Sequence, residues 1–311
     1  MIHYLKLESK NLHGSFNNKY EPVLSIDSGD TVRLTTPDIQ WGYSASKNEE
    51  KVFFKSREKE DQPGHPIIGP INVRQAKKGM VLEVKLNDLV PGWYGTNWAG
   101  GIQNWQNEKI GITEYEKIQQ DWELNALTMT GTTKIGNRTF HVGLHPFMGL
   151  MGVAPAELGV HTTPPPRYCG GNIDCKELVR GSSLYLPISV DGALFSIGDG
   201  HAAQGDGEVS GTAIEAPMDL VDVTLTVHED MRLTQPRAWA PAGWITFGFN
   251  EDLHEATAVA LDEMIKLIQN LYAIQKTEAT ALASTVVDLR ITQVVNGVKG
   301  VHVILPHGAI R

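Results

Sequence analysis

Ser183-Leu184-Tyr185-Leu186-Pro187-Ile188, then Asp191-Gly192, then Ala193-Leu194-Phe195-Ser196-Ile197, is the stretch that decides the fold class. Two apolar runs bounded by turn residues, with Asp-Gly between them, predict a pair of strands joined as a β-hairpin. The second strand leads directly into Gly198-Asp199-Gly200-His201-Ala202-Ala203-Gln204-Gly205-Asp206-Gly207-Glu208. That segment crowds acids, an amide and a histidine among four glycines. Glycine permits positive φ and close approach of a ligand, while Asp, His and Glu bind metals and move protons, so the segment reads as a functional site.

The same strand, turn, strand logic recurs towards the N-terminus. Pro22 to Asp27, Ser28-Gly29-Asp30 and Thr31 to Thr35 read as one such unit. Gly69 to Val73, Lys78-Gly79 and Met80 to Leu86 read as another. Gly149 to Pro155 and Thr162 to Arg167, rich in glycine and proline, read as loops or extended connections. Beyond the central motif, Glu208 to Glu215 and Asp222 to Val227 are expected to be strands. Helical periodicity begins only at Asp252 to Tyr272, where Leu253, Ala256, Ala260, Met264, Leu267 and Leu271 make an apolar face. A second helix around Glu278 to Asp288 precedes Arg290 to Val295, Asn296-Gly297 and a closing strand at Val301 to Leu305. The pattern is mainly β with a helical appendage.

Composition bounds the function. The chain has 311 residues, 41% hydrophobic and 20% charged, with a formal charge of −9. It is long enough for a sizeable core, and its acidity argues against a nucleic-acid partner, which needs clustered Lys and Arg. Charge interrupts Met1 to Glu8 before a signal or membrane-spanning run can develop, so no membrane partner and a cytoplasmic location are expected. Two cysteines, Cys169 and Cys175, are too few for a disulfide framework.

Asp199 and His201, two positions apart on an extended backbone, point to one face and can share a metal ion. Asn172 and Asp174 repeat that spacing in a second Gly-rich segment, giving enough nitrogen and oxygen donors for an open zinc-like site. Glu208 is the preferred general base. Glu215, seven residues on, would face the opposite side of a regular strand, so both reach one pocket only if the strand is irregular. Trp93, Tyr94, Trp98 and Trp105 could wall a small pocket or simply pack.

Gly149 to Pro155, Gly170-Gly171-Asn172-Ile173-Asp174, Gly181 to Pro187, Gly192 to Glu208 and Asp288 to Val295 together resemble the acetamidase/formamidase family, and occur in that family's order. The resemblance implies hydrolysis of a short carboxamide, such as formamide or acetamide, to carboxylate and ammonia. It also implies a jelly-roll-like sandwich with a small barrel-like β portion and C-terminal α/β additions, in a homo-oligomer. The chain is then one catalytic unit over 1–311, with a β subdomain at 1–130, a site-bearing β region at 131–245 and a helical/β part at 246–311.

In this reading a divalent ion, zinc with calcium as a structural alternative, is held by Asp174, Asp199 and His201. Glu208 and Glu215 are the catalytic candidates, and Gly170, Gly171, Asn172, Gln204 and Cys169 lie against the substrate. Gln204 and glycine N–H groups would hold the oxyanion. Many relatives carry His before Gly-Gly-Asn where this chain has Cys169, which leaves a Cys169 nucleophile as a rival mechanism. A non-catalytic β-sandwich that binds a small ligand is the rival of another class.

Overall fold

The computed structural model describes residues 1–60 and 63–311. Two sheets face each other across the main core. The larger has nine strands, running spatially from Ile2–Leu5 through Asp30–Thr36, Met218–His228, Val81–Pro91, Ser183–Pro187, Arg237–Ala240 and Gly243–Asn250 to Lys299–Leu305 and Asp288–Gln293. The smaller orders Gly170–Asn172, Phe147–Gly152, Phe195–His201, Ile67–Val73 and Leu12–His13, with Leu24–Ile26 added in parallel to Ile67–Val73. Alternation drives the packing: in Asp30–Thr36 every second residue is buried. Val32, Leu82, Val84, Leu184 and Val223 of the large sheet share one apolar cluster with Ile71, Met148, Phe195 and Ile197 of the small one. This is a β-sandwich.

The strands of three expected hairpins lie where the sequence places them, but they do not pair as expected. Ser183–Pro187 joins the large sheet and Phe195–His201 the small one, so Asp191-Gly192 turns the chain from one layer to the other. Leu24–Ile26 and Asp30–Thr36 divide in the same way, as do Ile67–Val73 and Val81–Pro91. Each of these three expected hairpins is an arch between sheets. The physical reason is that all these strands bury an apolar face, and a tight turn can serve either pairing or stacking.

Two further expectations are corrected. Gly149 to Pro155, read as a loop or extended connection, begins inside Phe147–Gly152, a fully buried strand between Gly170–Asn172 and Phe195–His201. Glu208 to Glu215, read as a strand, is irregular chain with only isolated bridges at Glu215. A separate four-stranded antiparallel sheet, Tyr94–Ala99, Ile118–Asn125, Thr130–Ile135 and Arg138–Gly143, stays open, and no closed barrel forms among the described residues. Trp122, Leu124 and Leu144 fasten it to Ala202, Ile214 and Ala216.

The C-terminal helix Leu253–Tyr272 starts at Asp252, whose carboxylate accepts from the backbone N–H of His254 and Glu255. Ala256, Ala260, Met264 and Ile268 pack it with Lys276–Val286 onto Val301, Val303 and Leu305. The last two strands do form a hairpin, closed around Asn296-Gly297.

Candidate active site

The strand Phe195–His201 carries two ionisable groups, Asp199 and His201, into the interior. Asp199 adopts φ 58°, a left-handed conformation that costs on the order of 1–3 kcal/mol for a residue with a Cβ. Asp174 (φ 55°) and Glu208 (φ 47°) share that conformation. Three strained acids around one point mark a geometry held by the rest of the fold.

These acids converge on His201. Its Nε2 lies 3.3 Å from Asp199 Oδ2 and 3.2 Å from Glu215 Oε2. Donor atoms of Asp174, Asp199 and His201 lie within 4.8 Å of one another, as do those of His201, Glu208 and Glu215. All five residues are buried. Glu215 comes beside Glu208 because the intervening chain is not a strand: Glu215 exchanges backbone hydrogen bonds with Thr96, and Glu208 sits in a turn closed by its N–H on the Gly205 carbonyl.

The surrounding amides orient the cluster. The Gln204 Nε2 donates to the Asp174 carbonyl at 2.8 Å, which directs its Oε1 to His201 Nδ1, 2.9 Å away. Nδ1 therefore carries a proton, which leaves Nε2, facing the carboxylates, as the ring nitrogen that can take a second proton or a cation. Asn296 Nδ2 donates to Asp174 Oδ2 at 2.7 Å, and the Ala213 N–H donates to Glu215 Oε1 at 2.9 Å. One oxygen on each acid is buried without a hydrogen bond: Asp174 Oδ1, Asp199 Oδ1, Glu208 Oε2 and Glu215 Oε2, the last with only the His201 Nε2 contact beside it.

Burial, reinforced by Asp199 and Glu215, raises the Asp174 carboxyl well above its ordinary range. Burial and the nearby Asp174 do the same to Glu208, and burial raises Glu215. Burial opposes charge on His201, but Glu215 and Asp199 outweigh it and raise its affinity for a proton. At Asp199 the imidazoles of His201 and His65 overcome burial and hold the carboxyl below the usual range. Four carboxylates face one imidazole here. So much buried negative charge demands either shared protons or a cation, and two overlapping groups that share His201, one with Asp174 and Asp199 and one with Glu208 and Glu215, offer donor types that fit a divalent ion.

Two residues that sequence reasoning missed complete the site. Met148 pairs with Gly200 and Leu150 with Gly198, which sets Gly149 across from Asp199. A Cβ at Gly149 would stand 2.7 Å from Asp174 Oδ1, 2.8 Å from Asp199 Oδ2 and 2.8 Å from His201 Cε1. The other is Asn296, whose Asn-Gly context marks a turn and hides its hydrogen bond to a residue 122 positions earlier.

The remaining sequence candidates lie elsewhere around the site. Gly170 and Gly171 take positive φ on the strand beside Phe147–Gly152, and a Cβ on Gly170 would meet the Met151 carbonyl at 2.4 Å. Asn172 is buried and donates to the Pro164 carbonyl. Cys169 belongs to the main apolar core, and burial pushes its thiol up to about 12. Of the four early aromatics, Trp105 is largely exposed and Trp98 stacks under Lys117. Trp93 and Tyr94 line a cavity beside the small open sheet. A different cavity, of about 740 Å³, reaches Gln204 and Glu208.

By fold and site this is a β-sandwich protein with a buried acid and imidazole centre opening on a cavity, the arrangement of an enzyme. More narrowly, the chain belongs to the acetamidase/formamidase family, whose profile matches residues 3–163 and 156–309. It is 44% identical over 206 residues to an acetamidase of Mycolicibacterium smegmatis, covering 48% of this chain and 50% of that one. It is 26% identical over 260 residues to a putative formamidase of Schizosaccharomyces pombe, covering 65% and 60%. These matches span about half to three fifths of those relatives' length. The solved acetamidase of Bacillus halodurans superposes with a TM-score of 0.82 at 25% identity, over 97% of both chains. That of Yersinia enterocolitica gives 0.83 at 24% identity, over 100% of this chain and 94% of the other, and supports the fold.

Proposed function

We propose that the protein hydrolyses a primary carboxamide, of which formamide and acetamide are the smallest, to the carboxylate and ammonia. The observation that carries this reading is the convergence of four buried acids, each with one unpartnered oxygen, on His201 in a chain of this family. Asp174, Asp199, Glu215 and His201 would hold a divalent ion. Calcium prefers oxygen donors alone, so the imidazole favours zinc. When bound, such an ion supplies Lewis-acid polarisation of the amide carbonyl and acidifies water.

Glu208 is the general base in this reading. Its unpartnered Oε2, its raised proton affinity and its place on the cavity wall suit it to take a proton from water as the C–O bond forms. The same oxygen returns that proton to nitrogen as the C–N bond breaks, so atoms and charge balance. Gln204 orients His201, since its amide is engaged by His201 and the Asp174 carbonyl. Cys169 acts in packing, because a thiol held near 12 in the core is not a thiolate at neutral pH. The protein works as one catalytic unit, in the cytoplasm and as a homo-oligomer, the last carried over from the family resemblance. No helix among the described residues is long and apolar enough to cross a membrane.

The test is ammonia release from formamide and acetamide by the purified protein. Turnover that falls by at least about 100-fold in Glu208→Gln supports the reading. Unchanged turnover in that variant removes Glu208 as the base, and no ammonia from any amide removes the hydrolytic reading.

A further inference from the structure

We infer that the acyl group of the substrate is larger than that of acetamide and apolar, and that it seats in the cavity beside Glu208. This rests on the amide-hydrolysis reading above. The cavity measures about 740 Å³. Acetamide needs on the order of 100 Å³, taking about 30 Å³ per water-sized group, so it would leave most of this space to water. A cavity of several hundred cubic ångströms suits a ligand several times larger.

The walls give the chemistry of that ligand. Trp122, Val142, Ala203, Val209, Ala213 and Ile214 present apolar surface, with Asn97, His145, Ser210 and Thr212 adding polar groups between them. Trp122 and Ile214 belong to the cluster that fastens the small open sheet to the site, so this wall is fixed by packing. The charged residues at the cavity are already matched: Lys176 pairs with Asp206 at 3.1 Å, and Glu177 with Arg290 at 2.9 Å. A charged substrate would have to break these pairs, whereas a neutral apolar chain leaves them intact. Glu208 is the exception, buried with an oxygen that has no partner, and it marks the end of the cavity where the carboxamide belongs.

The experiment compares kcat/KM for formamide, acetamide, hexanamide and phenylacetamide by ammonia release. The inference predicts that hexanamide or phenylacetamide exceeds acetamide by at least about tenfold, the discrimination available from a few added apolar groups in a fitted pocket. Val142 lies on the outermost strand of the open sheet, so Val142→Trp narrows the cavity without entering the core. It should lower the hexanamide-to-acetamide ratio at least about tenfold, with the smaller Val142→Phe between the two. Turnover of formamide or acetamide with none of the larger amides, or a ratio that Val142→Trp leaves unaltered, overturns the inference and spares the amidase reading. Ammonia from none of the four overturns both.

Discussion

Gly149 shows how much of this site depends on a side chain that is absent. Its backbone does not need glycine, since its φ is not in the left-handed region, but the space its Cβ would fill is occupied by Asp174, Asp199 and His201 at under 3 Å. Gly149→Ala should therefore push the acids apart while leaving the strand intact. We expect kcat/KM to fall at least about 100-fold with a stability loss of only about 1–3 kcal/mol, read by steady-state kinetics and urea denaturation. Wild-type kinetics in this variant would mean that the three side chains do not act together.

The protonation of the cluster gives a second prediction at the same scale. Asp174, Glu208 and Glu215 have raised proton affinity in the fold, as does His201. Groups whose folded pKa is raised stabilise the protein below their unfolded pKa, and that contribution is lost as pH rises through the folded value. A cation binds the deprotonated acids and replaces the protons, so its stabilisation grows as theirs is lost. Melting curves of chelator-treated and zinc-loaded protein should thus differ more at pH 7.5 than at pH 5.5. An equal difference at both values would show that the acids do not titrate with the ion.

Much of the site was legible residue by residue. Asp199, His201 and Asp174 stand out because metal-binding residue types at two-residue spacing sit among glycines, and the structure brings their donor atoms together. Glu208 and Glu215 can share a pocket only if the chain between them is irregular, which it is. What the residues did not announce was orientation. Gln204 reads as an oxyanion donor until its amide is seen bridging His201 and Asp174.

Among elements, the long C-terminal helix was the most legible, since Asp252 marks its start and the apolar spacing marks its buried face up to Leu267, although Leu271, expected on that face, is exposed. Its docking was hidden. Gly248, on Gly243–Asn250, lies so close that a Cβ would stand 2.0 Å from the Ala256 carbonyl and 2.6 Å from the Ala260 nitrogen. Backbone atoms cannot give way as a flexible side chain can. Gly248→Ala should destabilise the protein by about 2–3 kcal/mol by forcing helix and sheet apart, whereas Gly205→Ala, with nothing near its Cβ, should change little. Equal denaturation midpoints for the two would refute the close-contact account.

Strand pairing was illegible for a similar reason. Period-two burial tells which face of a strand is apolar, but not whether the next strand lies beside it or above it. Asp191-Gly192 satisfies the turn rule and yet links the two layers. The strand Phe147–Gly152 is hidden because Gly149 and Gly152 suggest a loop or extended connection, although burial on both faces and the nearness of the acids require small residues there.

At the scale of the whole molecule, the arches between sheets explain where the site is. Phe195–His201 brings Asp199 and His201, the segment after Gly170–Asn172 brings Asp174, the irregular chain after Gln204 brings Glu208 and Glu215, and the last hairpin brings Asn296. The large sheet contains both the first strand and the last two, so chain regions far apart in sequence meet around one buried point. Such a centre is costly to assemble unless something answers its negative charge.

The central claim is that a divalent cation does so. Calorimetric titration of zinc into chelator-stripped protein, with ammonia release followed on the same samples, tests it most directly. The account predicts binding of about one ion per chain, with activity rising in step and both lost in Asp199→Asn and His201→Gln. Full activity in stripped protein shown to be metal-free by elemental analysis, or zinc binding unchanged in both variants, would contradict it.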